Sequence, residues 1–520
     1  MSDGTPPAPP PAADAAAAPR AQDGGHAGAR PRPGDELELE ISSLAFGGEG
    51  VARLGEGGYV VFVAGAIPGD RVRALVYKRK RSYAHARTLE VLRPSSERIA
   101  PRAQHPGVPW QVLPYERQLE VKWAQVDEAL RRIGGLDGFE LADMLPAVAQ
   151  WRYRNKLEYS FGNGHDERGG ERLVCGFHAA AGANRVVAFE DCLLASELGN
   201  RARELALSWC RAQGLQAWER GRPGAEQDGQ VHAGRPGRGP RGAARGARAQ
   251  RIAPAADGRA RLRNLVVREG RRSGQLQVRI VSTDGELQAG ALAAALAEAL
   301  GSSLSGVLWT RSDSLAETTA GGRTELVWGE AELPERLAGL DLRISAEAFL
   351  QTNTEMAEQL YEVIAGYAAL QGWERVYDLY SGIGTIALAL APRAGEVWGI
   401  ELLEQAVADA IASARRNEIT GARFFAGDVR RALPELLAQA GRPDVLVVDP
   451  PRAGLSKSVV RRIIDAAPRR IVYVSCNPTT LAPNAAELVQ AGWTLQRVRP
   501  VDMFPQTHHI ECVALLERAR

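Results

Sequence analysis

Cys476 is the residue of this 520-residue chain best placed to do covalent chemistry. It follows the apolar run RIVYVS and precedes Asn477-Pro478, so it ends a strand-like segment amid polar neighbours. A thiolate in that position can act as a nucleophile. The competing reading, a small buried apolar side chain, describes most free cysteines. An earlier run, DVLVV, ends in Asp449-Pro450-Pro451-Arg452, and a later segment reads Thr507-His508-His509-Ile510-Glu511. With a nucleophile at Cys476, Glu511 can take a proton, Asp449 can hydrogen-bond a substrate edge, and Arg452 can stabilise charge or hold a phosphate.

Three more strand tips carry acids or glycines. Asp378-Leu379-Tyr380-Ser381-Gly382-Ile383-Gly384 ends one apolar run, and its glycines let backbone come close to a ligand. It lacks the third glycine of a pyrophosphate-binding turn. Glu401 ends the next run and can accept from both ribose hydroxyls; Asp428 ends the third and can accept from an adenine amino group. Three such tips in succession point to an adenosyl ligand rather than to solvated carboxylates. Many amino-group methyltransferases carry a similar Asx-Pro-Pro followed by an aromatic residue. Here Arg452 takes that place and a cysteine stands one strand over, which suits a carbon target. Uracil C5 is such a carbon: it needs thiolate addition at C6 before it can attack a methyl group, and a base afterwards to remove its proton.

The elements that must hold these residues alternate strand and helix from about residue 342. Five β-α units and a terminal hairpin predict an α/β domain, 341–520, with a doubly wound, mainly parallel sheet. Upstream, short β-runs at 37–41, 58–63, 71–77 and 86–92 predict a small β-barrel over 35–93. Lys78-Arg79-Lys80-Arg81 follows its third run, flanked by Tyr77 and Tyr83. That is either a nucleic-acid groove or a solvated hairpin tip. Residues 94–340 predict a central mixed α/β (α+β) domain, with a helix at about 116–133 and a strand-like segment at 151–161. Residues 1–34, rich in Ala and Pro, and the insertion 219–262, with ten arginines among glycines, lack apolar periodicity and predict disorder.

The composition is that of a soluble globular protein: 45% hydrophobic, 24% charged, formal net charge +2. Five dispersed cysteines without a C-x-x-C pair predict neither a disulfide framework nor a four-thiolate metal site. No apolar run is long enough to span a membrane and no leader is read, so a cytoplasmic monomer is expected.

The order of motifs Phe349-Leu350-Gln351-Thr352-Asn353, DLYSGIGT, VDPPRAGL, VSCNP and HHIE resembles the bacterial RNA 5-methyluridine methyltransferases, in the branch with an N-terminal TRAM domain. The resemblance runs from Glu36 to Arg520 outside the insertion. It implies a Rossmann-like domain binding S-adenosylmethionine, with contacts at Gln351, Tyr380, Thr385, Glu401, Asp428 and Asp449. It implies Cys476 as nucleophile, Glu511 as base, and RNA contact by Arg152, Arg154 and Lys156. Ribosomal RNA is favoured as substrate over transfer RNA. Many relatives hold a [4Fe–4S] cluster on four cysteines, three of them just before a Gln-x-Leu-x-Tyr-Glu segment. Here Gln111–Glu116 keeps that segment, but IAPRAQHPGVPW before it has no cysteine and only Cys192 persists, so no iron–sulfur cluster is predicted. A second departure is Leu481-Ala482-Pro483-Asn484, where relatives carry Arg-Asp after the leucine. The alternatives are an RNA cytosine-C5 methyltransferase, which places its thiol nearer position 452, and a noncatalytic RNA-binding or ribosome-assembly factor.

Overall fold

Short β-branched runs broken by glycine turns fold the first described stretch into one curled sheet. The structure is a computed structural model and describes residues 30–55, 58–165, 171–179, 185–218, 252, 255–316 and 318–518. The expected tail up to residue 29 and most of the 219–262 insertion lie outside these. Strands β1 (Glu36–Glu40), β2 (Ser43–Leu44), β3 (Gly50–Leu54), β4 (Tyr59–Ala64), β5 (Arg71–Arg79) and β6 (Tyr83–Arg93) pair in the order β1-β5-β6-β4-β3-β2. They wrap a core of Leu39, Val61, Val63, Val72 and Val76. β3 was not expected, because Gly50 and Gly55 at its borders look like loop. Lys78 and Arg79 prolong β5 instead of following it, and Lys80 N–H donates to Tyr83 O across the hairpin (2.8 Å).

The central unit pairs β8 (Lys156–His165), β9 (Glu171–His178), β10 (Val186–Ala188), β11 (Leu262–Gly270), β12 (Gln275–Ser282), β13 (Leu304–Arg311) and β14 (Arg323–Gly329) in the order β10-β9-β8-β11-β12-β13-β14. Helices α2 (Glu197–Ala212) and α3 (Ala289–Leu300) share its core. Across the insertion, Trp218 N–H donates to Leu262 O and Leu262 N–H to Gln216 O (2.8 and 2.9 Å). The chain therefore leaves and re-enters at adjoining points, which is where a long insertion costs least.

The C-terminal sheet has the order β19-β18-β17-β20-β21-β23-β22-β7. β17 (Arg375–Leu379), β18 (Glu396–Glu401), β19 (Ala422–Ala426), β20 (Val445–Val448) and β21 (Arg470–Ser475) are parallel. β23 (Glu511–Arg518) runs antiparallel between β21 and β22 (Trp493–Val501). Helices α7 (Val429–Ala440), α8 (Lys457–Ala466) and α9 (Pro478–Gln490) cover one face; α4 (Thr354–Ala368), α5 (Thr385–Leu390) and α6 (Glu404–Arg416) cover the other. Two boundaries differ from expectation. α1 (Tyr115–Glu128) and β7 (Glu140–Leu141) buttress this sheet, with Val126, Leu130 and Phe139 in its core. β15 (Leu333–Leu337) and β16 (Leu340–Ile344) also pack here. The reason is burial of their apolar residues in the C-terminal cores; β15 also bridges to the central sheet, Glu335 accepting from Arg271 N–H (2.8 Å) and Arg272 N–H (2.9 Å).

Asp70, fully buried in the turn before β5, accepts from Ile67 N–H (2.9 Å), Ser95 N–H (2.9 Å) and Arg98 Nη2 (2.6 Å). Burial opposes its ionisation, yet these bonds hold its carboxyl below the ordinary range. Asp70→Ala should cost about 3–5 kcal/mol, read as a lower urea midpoint. A carboxyl depressed on folding stabilises above its unfolded pKa of ~4. The difference between wild type and variant should therefore shrink as pH falls below that value.

Candidate active site

Alternation along the strands puts the chemistry on one face. Val376, Val397, Val445, Val447, Val472, Val474 and Val513 belong to the core on the α4–α6 side, while Tyr377, Ile400, Leu446, Tyr473 and Cys512 belong to the opposite core. A period of two then assigns Asp378, Glu401, Asp449, Cys476 and Glu511 to the α4–α6 side, all at the same end of the sheet. β21 and β23 pair Ser475 with Cys512, so the next step sets Cys476 across from Glu511. The Cys476 and Asp449 tips are tied together, Asn477 Nδ2 donating to Arg452 O (3.3 Å). Asn477 also caps α9 by accepting from Thr479 N–H (3.0 Å).

Cys476 is half-buried, whereas the other four cysteines are buried. Burial, with the charges of Glu511 and Asp449, pushes its thiol up to about 11; Arg452, exposed at the rim, pulls the other way. Glu511 is 4% exposed, and burial followed by Asp449 raises it well above the carboxylate range. Asp449 rises to about 6 through burial, and Asp378 to about 8 through burial and its neighbour Asp449. Burial holds His508 and His509 neutral, with values near 4 and 3, and the charges of Arg452 and Lys122 add to this.

Around the glycine turn, Tyr380, Gly382 and Gly384 have positive φ (64°, 55° and 80°). A Cβ on Gly384 would lie 2.8 Å from the Phe424 ring, whereas Gly382 faces open space. Glu401 is fixed beneath the turn, accepting from Gly382 N–H (3.0 Å) and Leu403 N–H (2.9 Å). Thr385 Oγ1 lies 2.7 Å from Tyr361 Oη, and Gln351 is buried with its carbonyl accepting from Asn155 Nδ2 (2.9 Å). Asp428 has a local task as well: it caps α7 through Arg430 N–H (2.9 Å) and pairs with that guanidinium (2.7 Å), bonds that lower it to about 2.

The three cations at the start of β8 do not act as one patch. Arg152, at φ 54°, forms a two-pronged pair with Asp191 (3.1 and 2.7 Å), and Lys156 pairs with Glu158 (2.7 Å). Only Arg154 turns toward the 502–511 segment, lying 5.3 Å from the Phe504 ring centre. Each side chain is drawn aside by its own partner, and the left-handed backbone at Arg152 breaks the extended run ahead of β8.

Cys192 sits against His105 (Sγ to Nε2, 3.4 Å), which stacks on Phe189 (4.5 Å) beneath the buried Arg203 guanidinium. Among the described residues no group of three or more His, Cys, Asp or Glu side chains could hold a metal ion. This donor set does not fit a [4Fe–4S] cluster; aromatic packing around a histidine surrounds the lone thiol instead.

Comparison with known proteins decides the family. The profile of the tRNA (Uracil-5-)-methyltransferase family matches residues 335–519, and that of the TRAM domain matches residues 30–89. An uncharacterized RNA methyltransferase of Chlorobaculum tepidum is 34% identical over 94% of this chain and 98% of its own. One from Gloeobacter violaceus is 36% identical over 94% and 97%. The crystal structure of Pyrococcus abyssi tRNA (uracil-54, C5)-methyltransferase with S-adenosyl-L-homocysteine shares the fold, at TM-score 0.68 and 24% identity, over 92% of this chain and all of that one. The chain belongs to the RNA uracil-5-methyltransferase family.

This methyltransferase is S-adenosylmethionine-dependent, and the turn fits that cofactor. Asp378 Oδ1 and Ser381 Oγ are buried there without a protein partner, Gly382 leaves space, and the Glu401 carboxylate is fixed alongside. Asp378 had no role in the sequence reading, although its place before Leu379 in the strand already put it on the reactive face. Gln118 and Lys122 were also passed over. Polar residues four apart, on the helix side that carries Gln125 and Val126 inward, were the available signal.

Alkylation of Cys476 by iodoacetamide, followed by mass spectrometry, should accelerate with pH up to about 11. Glu511→Gln removes a charge that disfavours the thiolate and should lower the midpoint; Arg452→Ala should raise it. A midpoint near 9 in all three proteins would contradict this electrostatic description.

Proposed function

We propose that this RNA uracil-5-methyltransferase works through a covalent Cys476 adduct and that Glu511 is its base. The Cys476 thiolate, its proton lost to solvent, bonds to uracil C6, and the displaced π electrons make C5 nucleophilic. S-adenosylmethionine, when bound, supplies the methyl group on a cationic sulfonium, with Gln351, Tyr380, Thr385, Glu401, Asp428 and Asp449 as the residues that would hold it. Once C5 carries the methyl, Glu511 takes its proton; those C–H electrons restore the C5–C6 double bond and expel the thiolate. A carboxylate held well above its ordinary range is a strong base when ionised, which proton removal from carbon requires. Asp449 accepts from the uracil edge and Arg452 balances charge developing at O4.

The observation that carries this reading is the register that sets half-buried Cys476 across from buried Glu511, with Asp449 between their electrostatic fields. A buried Glu511 and half-buried Cys476 are reached by a base taken out of its stack, which favours a uridine extruded from structured RNA. Large-subunit ribosomal RNA is the proposed substrate, supported by the likeness to the TRAM-bearing branch. A cleft on the barrel lined by Arg30, Arg79, Lys80 and Arg81 offers cations for its phosphates. Such a substrate implies a cytoplasmic enzyme, and no helix among the described residues is long and apolar enough to cross a membrane.

Purified protein, S-adenosylmethionine and unmodified ribosomal or transfer RNA should yield 5-methyluridine after nuclease digestion, from the ribosomal RNA. Cys476→Ala should reduce the product by at least ~1,000-fold. Product from transfer RNA alone would correct the substrate, 5-methylcytidine would correct the base, and an active Cys476→Ala variant would exclude the covalent route.

A further inference from the structure

β22 and β23 are joined by residues 502–510, much longer than a tight hairpin loop and without regular structure of its own. Glu511 is the first residue after it, so the position of its backbone depends on how that segment is held. The hydrogen bonds that hold it come from far away in the chain. Lys122 and Asp502, both with no side-chain exposure, pair at 2.6 Å, and Lys122 Nζ also donates to Phe504 O (3.1 Å). Tyr115 Oη donates to the other Asp502 oxygen (2.8 Å). Gln118 and Gln506 exchange bonds: Gln118 Nε2 donates to Gln506 Oε1 and Gln506 N–H donates to Gln118 Oε1, each at 2.9 Å. Gln506 sits at φ 66°, a left-handed conformation a glutamine adopts only when its surroundings impose it. Tyr153 Oη donates to Pro505 O (3.1 Å), Asn353 Nδ2 to Met503 O (2.9 Å) and Trp110 N–H to Gln506 O (3.0 Å).

A buried ion pair contributes little net stability, because desolvating both charges offsets their attraction. What Lys122–Asp502 and the paired amides do supply is direction: each fixes one loop atom relative to α1. We infer that Gln118 and the Lys122–Asp502 pair are positioning residues for proton removal at C5, acting through the 502–510 segment on Glu511. The inference rests on the reading of Glu511 as the base. It assigns α1, whose contacts with the loop span 380 and 388 residues of chain, to one step of the reaction. Thiol addition and methyl transfer do not use Glu511, so a misplaced base should slow only the release of the methylated RNA.

The test uses the full-length protein with S-adenosylmethionine and unmodified ribosomal and transfer RNA transcripts, comparing wild type, Gln118→Met and Glu511→Gln. Methyl incorporation in a single turnover, steady-state release and adduct resistant to denaturing gels are measured together, alongside thermal unfolding. Glu511→Gln should accumulate a methylated protein–RNA adduct. Gln118→Met keeps the side-chain volume but not the amide, and should do the same, with release slowed on the order of 100-fold and single-turnover methylation unchanged. Release at the wild-type rate without adduct would overturn the inference. So would a parallel fall in methylation and melting temperature, which marks a purely structural role. Should Gln118→Met not fold, the Lys122→Met/Asp502→Asn pair, which leaves no lone buried charge, is read by the same criteria. Turnover by Glu511→Gln without adduct would remove Glu511 as base, a result separable from either outcome at Gln118.

Discussion

Water is kept away from Glu511, and most of the structure around it serves that exclusion. An ionised carboxylate taken out of water costs several kcal/mol unless it is paired. The exposed Arg452 opposes this penalty only in part, and Asp449 adds a like charge. Burial and the like charge of Asp449 raise the Glu511 carboxyl well above the ordinary carboxylate range, and burial raises the Cys476 thiol to about 11. Both groups gain reactivity from the penalty that suppresses their ionisation: whichever loses its proton does so as a strong base or nucleophile in a site with little solvent to stabilise it. A polar, open tip would give ordinary pKa values and a weaker base.

Such a site needs its backbone fixed from outside, because buried carboxyls that repel one another contribute nothing to their own placement. The parallel strands bring Asp378, Glu401, Asp449 and Cys476 to one face by simple alternation. The N-terminal half does the rest. α1 holds the 502–510 segment, Asn155 donates to Gln351 O and Thr354 Oγ1, and Arg268 donates to Ser345 O and Ala348 O. The barrel reaches in as well: Trp110 Nε1 donates to Gly48 O, and a Cβ on Gly48 would lie 2.8 Å from His508. Regions readable as RNA-binding appendages are thus also parts of the frame around the cofactor and the base.

The doubly wound domain was legible because parallel strands buried on both faces read as continuous Val/Ile/Leu runs, each closed by a polar tip. Cys476, Glu401 and Asp449 could be found for the same reason: a polar residue ending an apolar run stands out. Local pattern does not carry long-range pairing. That α1 and β7 join the C-terminal sheet depends on contacts some 360 residues apart, and nothing in ERQLEVKWAQVDEALRRI states them. Arg152 looked like a free cation because Asp191 lies 39 residues on in the chain, whereas Lys156 and Glu158, two apart on one strand face, form a pair that local alternation allows. β3 was lost to its glycines, which serve a barrel corner. His105 was noticed only as the absence of a cysteine, while its stacking on Phe189 required the fold.

The central claim is that Cys476 bonds to C6 and that loss of the C5 proton must precede release. RNA carrying 5-fluorouridine has no proton at C5 to lose, so the reaction should halt with the methyl group transferred and the thiol still attached. Wild-type protein incubated with S-adenosylmethionine and such RNA, then denatured and digested, can be read by mass spectrometry. The account predicts a peptide containing Cys476 that carries a methylated fluorouridine. Complete turnover without adduct, or an adduct on a different side chain, would contradict it.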